Sequence, residues 1–324
     1  MMIVFLVGLA SGIASATLSL ALASGSTLSV LLFIFAPLPI FIASLGWQHQ
    51  AGLIGVMIAA SVLFGLGDFD TARAYVLSVG APSWWLAYLA LLGRSRDEGN
   101  PEAGMDWYPV GRLIIWAALL GAGLVLVTIP LVAGSLDEYR AAIRTTFETF
   151  LRVETGTPAG QPVTLPGGGD PTRITELAVL ALPPLAAALW STVSLVNLWV
   201  AGRVVRTSGR LARPWPNISE FQLPRFSLLI MLGATAASIL PGIAGFTAGI
   251  LSTSFAIPFA MLGLALIHAG TRGTTGRGLI IGAAYVLLAV QAWTVIILTF
   301  IGIAEHVFSI RDRIAISRAS NPKS

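Results

Sequence analysis

Residues 174–202 read ITELAVLALPPLAAALWSTVSLVNLWVAG, and Glu176 at the edge is the only charge in the stretch. As a helix the stretch is about 44 Å long, against roughly 30 Å for the hydrocarbon core of a bilayer. Pro183 and Pro184 fall inside it and predict a kink, because proline donates no backbone hydrogen bond. A run this apolar is a membrane crossing.

The flanking sequence repeats the pattern. Of 324 residues, 56% are hydrophobic and 10% are charged, where a soluble domain has about 25% charged. Nine apolar segments are expected, at about Met1–Leu22, Leu28–Trp47, Ala51–Leu66, Ala74–Gly93, Gly111–Gly134, Ile174–Gly202, two within Phe226–His268, and Leu279–Ile303. Pro37 and Pro39 predict a kink in the second, and Gly80-Ala81-Pro82 predicts a bent or partly re-entrant first half of the fourth. The first segment has no preceding Lys or Arg, so it reads as a retained helix and not a cleaved signal. The fold class is therefore all-α, a polytopic helix bundle of about nine (eight to nine) crossings. It forms a single transmembrane domain over 1–304 with a polar tail at 305–324.

Arginine placement sets the orientation. The loop from Arg203 to Arg225 carries five arginines against Glu220 alone, which makes it cytoplasmic. Strict alternation of nine crossings then leaves the tail outside despite Arg311, Arg313, Arg318 and Lys323. A re-entrant segment, giving eight crossings, removes that conflict. On the opposite face, residues 136–173 are expected to hold an amphipathic helix and a Gly/Pro loop. Tyr139, Ile143, Phe147, Phe150 and Leu151 recur at helical spacing there, while Arg144, Glu148 and Arg152 stand four apart and can pair.

Several chemistries are excluded. With no cysteine there is no disulfide, thiolate nucleophile or cysteine-held metal. Lys323 is the only lysine, so no P-loop exists, and neither G-x-S-x-G nor H-E-x-x-H occurs. His49, His268 and His306 are scattered, and the arginines lie between apolar segments and not in one basic domain. Asp68-Phe69-Asp70 with Arg73 reads as a helix cap more readily than as a metal-diphosphate site. The expectation is a non-enzymatic protein with no cofactor, no metal and no nucleic-acid partner.

Two sets of positions remain as candidates. Ser191, Ser194 and Asn197 stand three apart on one helix face, where polar side chains bond neighbouring helices or touch a ligand. Gly8, Gly12 and Ala16 form a small-residue face on the first segment that suits a partner helix; Gly245/Gly249 and Gly278/Gly282 repeat the spacing.

The cytoplasmic loop, RVVRTSGRLARPWPNISEFQLPR over 203–225, joins an arginine ladder to a stiff Pro214-Trp215-Pro216 unit and then Phe221-Gln222-Leu223-Pro224. It reads as an anchor on anionic headgroups or a docking surface for a cytoplasmic protein. Asn197, Arg203, Pro214, Pro216, Phe221, Leu223 and Pro224 together resemble the YybS-like family of bacterial membrane proteins, a domain of unknown function. That family is distantly similar to the substrate-binding membrane subunits of energy-coupling-factor importers. The family brings no established activity with it. The kinked helices, the polar row on the sixth segment and the small face on the first lead to the expectation of a multi-pass protein of a bacterial inner membrane that binds a small molecule as part of a transporter, with a membrane scaffold docking a partner protein through 203–225 as the alternative.

Overall fold

A computed structural model describes residues 1–96, 104–158, 160–165 and 167–320. Residues 97–103 of one expected cytoplasmic loop, Ala159 and Pro166 of the Gly/Pro loop, and Lys323 and Ser324 of the tail lie outside the described residues. The helices are α1 (Met2–Leu20), α2 (Thr27–Ile34), α3 (Pro37–Trp47), α4 (His49–Leu66), α5 (Phe69–Tyr75), α6 (Ala81–Leu91), α7 (Val110–Val132), α8 (Leu136–Thr155), α9 (Pro171–Thr207), α10 (Phe226–Ala237), α11 (Gly242–Gly270), α12 (Arg277–Val290), α13 (Thr294–Phe308) and α14 (Ile310–Ser320). A small hairpin, β1 (Gly93–Ser95) with β2 (Met105–Trp107), pairs antiparallel with Arg94 opposite Asp106. This is an all-α, multi-pass membrane protein.

Among the described residues seven helical stretches are long and apolar enough to cross a membrane, or eight if α13 and α14, bent by 64°, count as one. The difference from nine has a local cause. The expected seventh segment is α10, only 12 residues, and the expected ninth breaks at Gln291–Trp293 into α12 and α13, of 14 and 15 residues. A 12-residue helix reaches about 18 Å and cannot span the core alone. The expected interruption near Pro82 is absent: Phe69–Leu91 is one span, with a π turn at Val76–Gly80 taking up the extra residue.

The chain divides into two compact units, 1–117 with 191–225 and 257–324, and 118–190 with 226–256. In the first unit α1 and α4 touch backbone to backbone. A Cβ on Gly12 would lie 2.5 Å from the Gly55 carbonyl oxygen, and one on Gly8 would lie 2.8 Å from that of Ala51. The Gly8, Gly12 and Ala16 face is thus filled by α4 of the same chain and is not left open for a partner helix. Against it pack Ile40, Val56, Ala59, Leu63, Tyr75 and Val79.

In the second unit Val125 and Ile129 of α7 meet Ala187 of α9 and Phe246 and Ile250 of α11. The amphipathic α8 joins this core through Leu136 and Tyr139. Ser135 caps its start and left-handed Gly156 its end. Arg144 does not pair with Glu148; it places two N–H groups on Glu176 Oε1 of α9, at 3.1 and 2.8 Å. Arg152 donates to the carbonyls of Pro158 and Gln161. Packing against α9 brings the Glu176 carboxylate within reach, and both groups of this pair remain exposed.

The side of the tail follows from one residue. Ser219 receives Arg272, after α11, on its hydroxyl, and Arg311, at the start of α14, on its carbonyl at 2.7 Å. The chain from 272 to 311 therefore leaves the 217–224 loop and returns to it, and the tail begins on the arginine-rich side. This corrects the nine-crossing expectation and obeys the positive-inside bias.

Two outcomes are expected. Gly12→Val should cost at least about 2 kcal/mol of thermal stability in detergent by overpacking, whereas Gly65→Ala, whose Cβ meets nothing within 4 Å, should cost nothing measurable. Topology reporters at Ser208 and Ser324 should give the same side; opposite sides would contradict the return of the chain.

Candidate functional site

The kink expected in the second segment is where one of the polar candidates, Asn197, comes to lie. Pro37 and Pro39 bring no N–H, so the helix tightens: Phe35 N–H goes to Leu32 O, Ala36 N–H to Phe33 O and Leu38 N–H to Phe35 O. In this register the donor for Ile34 O would be residue 37, a proline. Asn197 supplies it instead, with Nδ2 at 2.9 Å from Ile34 O and also 2.9 Å from Val193 O on its own helix. Next to the break Ser15 donates to Ala36 O at 2.7 Å and shares a hydrogen bond with the Tyr75 hydroxyl at 2.8 Å. Ser191 donates to Ala117 O at 3.1 Å, and Ser194 is buried. Asn197 is wholly buried and both its N–H groups serve the fold, while its Oδ1 has no partner among the described residues.

A second cluster was not legible as a site in the sequence. Between α3 and α4, Gln48 has φ 73° and ψ 153°, a region that side chains rarely enter and that costs about 1–3 kcal/mol. The strained turn presents His49 to α6, with its ring centroid 5.1 Å from Tyr88 and 6.3 Å from Trp84. Trp84 stacks on Tyr88, and Trp85 meets Tyr88 at 5.7 Å and Trp116 edge-on at 5.5 Å. Trp116 donates to the Tyr108 hydroxyl at 3.0 Å. The His49 Nδ1, Trp84 Nε1 and Trp85 Nε1 atoms are buried and have no partner among the described residues. Buried polar atoms are normally satisfied, so three in one aromatic cluster mark it for an additional group with hydrogen-bonding atoms and a flat face.

Three arginines of the ladder lie on other rings. The Arg203 guanidinium lies 5.7 Å from Trp199 and 6.0 Å from Trp215, and Arg210 lies 4.7 Å from Trp47. Trp215 packs flush on Gly202, where a Cβ would meet its ring. Arg213 is drawn inward, donating to Ala90 O at 3.0 Å and Tyr108 O at 3.3 Å beside the Trp107 ring; burial lowers its pKa. Phe221 and Leu223 are buried, and Gly111 lies flush on the Gln222 backbone. The far end of the loop is held by Arg311, which bonds Glu305 at 2.6 Å and reaches Phe221 O at 2.9 Å. Glu305 and Arg311 are the buried ion pair of the chain's described residues, at 5% and 11% side-chain exposure.

Asp68 and Asp70 do not converge. Asp68 accepts the Thr71 N–H at 2.7 Å as a helix cap, which with the Thr71 hydroxyl lowers its pKa, and Asp70 pairs with Arg73 at 2.8 Å. Among the described residues no group of three or more His, Asp or Glu is placed to hold a metal ion.

A multi-pass helical bundle with an arginine-rich face on one side defines an integral membrane protein. Residues 13–306 match the family described as predicted membrane protein (DUF2232), and the chain belongs to that family. No curated protein and no solved structure matches it.

Removing either partner of the buried pair should be costly. Glu305→Gln is expected to lower stability by about 3 kcal/mol, because it leaves Arg311 buried without its counter-charge. Gln48→Gly is expected to raise the melting temperature, because glycine adopts a φ of 73° without the Cβ penalty; an unchanged or lower melting temperature would contradict strain at this turn.

Proposed function

We propose that this chain is a non-enzymatic, small-molecule-binding protein of a bacterial inner membrane, acting as the membrane subunit of a transporter. The observation that carries the reading is the His49, Trp84, Trp85 and Tyr88 cluster, whose three unpartnered ring nitrogens suit a ligand offering a flat face and hydrogen-bonding atoms. Its placement beside the arginine ladder favours a ligand that carries negative charge or approaches past anionic groups. The likeness of the 197–224 positions to YybS-like proteins, and of those to importer subunits, supports the same reading. Asn197 contributes by holding the helix break, and its Oδ1 has no partner among the described residues.

A scaffold role rests on a different observation. Arg203 and Arg210 are exposed and lie on indole rings, and among the described residues no carboxylate pairs with them, which suits an acidic partner protein.

The test is purification in mild detergent from the native host, followed by mass spectrometry of the small molecules and proteins that accompany the chain. A small molecule retained by the wild type and reduced at least tenfold by Trp85→Phe, together with an ATPase and a coupling subunit, is the expected result. An acidic soluble protein in its place, lost with Arg203→Glu and indifferent to Trp85→Phe, would replace this reading with the scaffold.

A further inference from the structure

Between α1 and α3 lies an apolar groove of about 350 Å³, lined by Val7, Ala10, Leu18, Leu38, Ile42 and Trp47. The one hydroxyl on its wall, that of Ser11, is turned back onto its own helix at Gly8 O. Measured along α1 from Val7 to Leu18 the groove runs about 16 Å, close to half of the roughly 30 Å hydrocarbon core. One end lies near the helix break that Ser15 and Ala36 tie down, and the other ends at Trp47.

The Trp47 end is chemically different from the rest. The Arg210 guanidinium sits 4.7 Å from the Trp47 ring, and no carboxylate pairs with it among the described residues. A slot one leaflet deep, apolar along its length and ending beside a cation, is complementary to one kind of occupant. We infer that this groove holds a single acyl chain of an anionic phospholipid from the arginine-side leaflet, with its phosphate at Arg210.

The site is distinct from the His49–Trp84–Trp85 cluster and does not depend on what that cluster binds. Charge supplies the headgroup preference and the groove supplies retention of the chain, so the two are separable by mutation. Arg210 and Ala10 are exposed, so changing them leaves the core untouched.

Native mass spectrometry of the detergent-purified protein, titrated with phosphatidylglycerol or with phosphatidylcholine of the same chains, reads both. The wild type is expected to keep one phosphatidylglycerol with at least tenfold preference over phosphatidylcholine. Arg210→Gln should erase the preference while still retaining one lipid, and Ala10→Phe, which fills the slot, should abolish retention of either. Arg203→Gln, equally cationic but on Trp199 and Trp215, should behave as wild type. Equal loss of preference in Arg203→Gln and Arg210→Gln would mean diffuse charge attraction and would overturn the proposal, as would undiminished retention in Ala10→Phe.

Discussion

Within a bilayer no water is at hand to satisfy a backbone carbonyl, and the α2–α3 break creates one that the main chain cannot reach. Pro37 removes the N–H that the tightened turn would have given to Ile34 O, and Asn197, 163 positions on, provides it. That single amide fastens the α9 half in this unit to the broken second span. Ser15 then fixes α1 to the same break through Ala36 O, and Tyr75 ties α5 to Ser15. With α1 so placed, Gly8 and Gly12 lie flush on α4.

The same economy governs the arginine-rich side. Arg213 and Arg311 each place their two terminal nitrogens on loop and helix-end carbonyls, and so hold the 213–223 segment against the bundle. Arg203 and Arg210 are instead laid on indole rings, and neither pairs with a carboxylate among the described residues. These cations, the aromatic cluster and the apolar slot are what make this side the one on which binding is proposed.

Much of this was legible in the sequence because it is local. Apolar runs gave the helices, Pro37 and Pro39 the break, the spacing of Tyr139, Ile143, Phe147, Phe150 and Leu151 the amphipathic α8, and arginine spacing the face that carries the loop. What was not legible depends on contacts distant in the chain. Nothing in the sequence around Asn197 says that its partner is Ile34, so a structural donor resembles a ligand residue. His49 looked isolated because Trp84, Trp85 and Tyr88 reach it only after α4 and α6 pack. The fate of the last apolar stretch was set by the Gln291–Trp293 turn and by two arginines meeting at Ser219, neither of which follows from hydropathy.

The claim on which the account rests is that Asn197 replaces a hydrogen bond that Pro37 cannot make. A double-mutant cycle of Pro37→Ala and Asn197→Leu, read as thermal stability in one detergent, tests it directly. Alone, Asn197→Leu should cost about 1–3 kcal/mol for an unsatisfied buried carbonyl. With alanine at 37 an N–H becomes available to Ile34 O, and the cost should fall to a small fraction of that value. Equal costs in the two backgrounds would contradict the account.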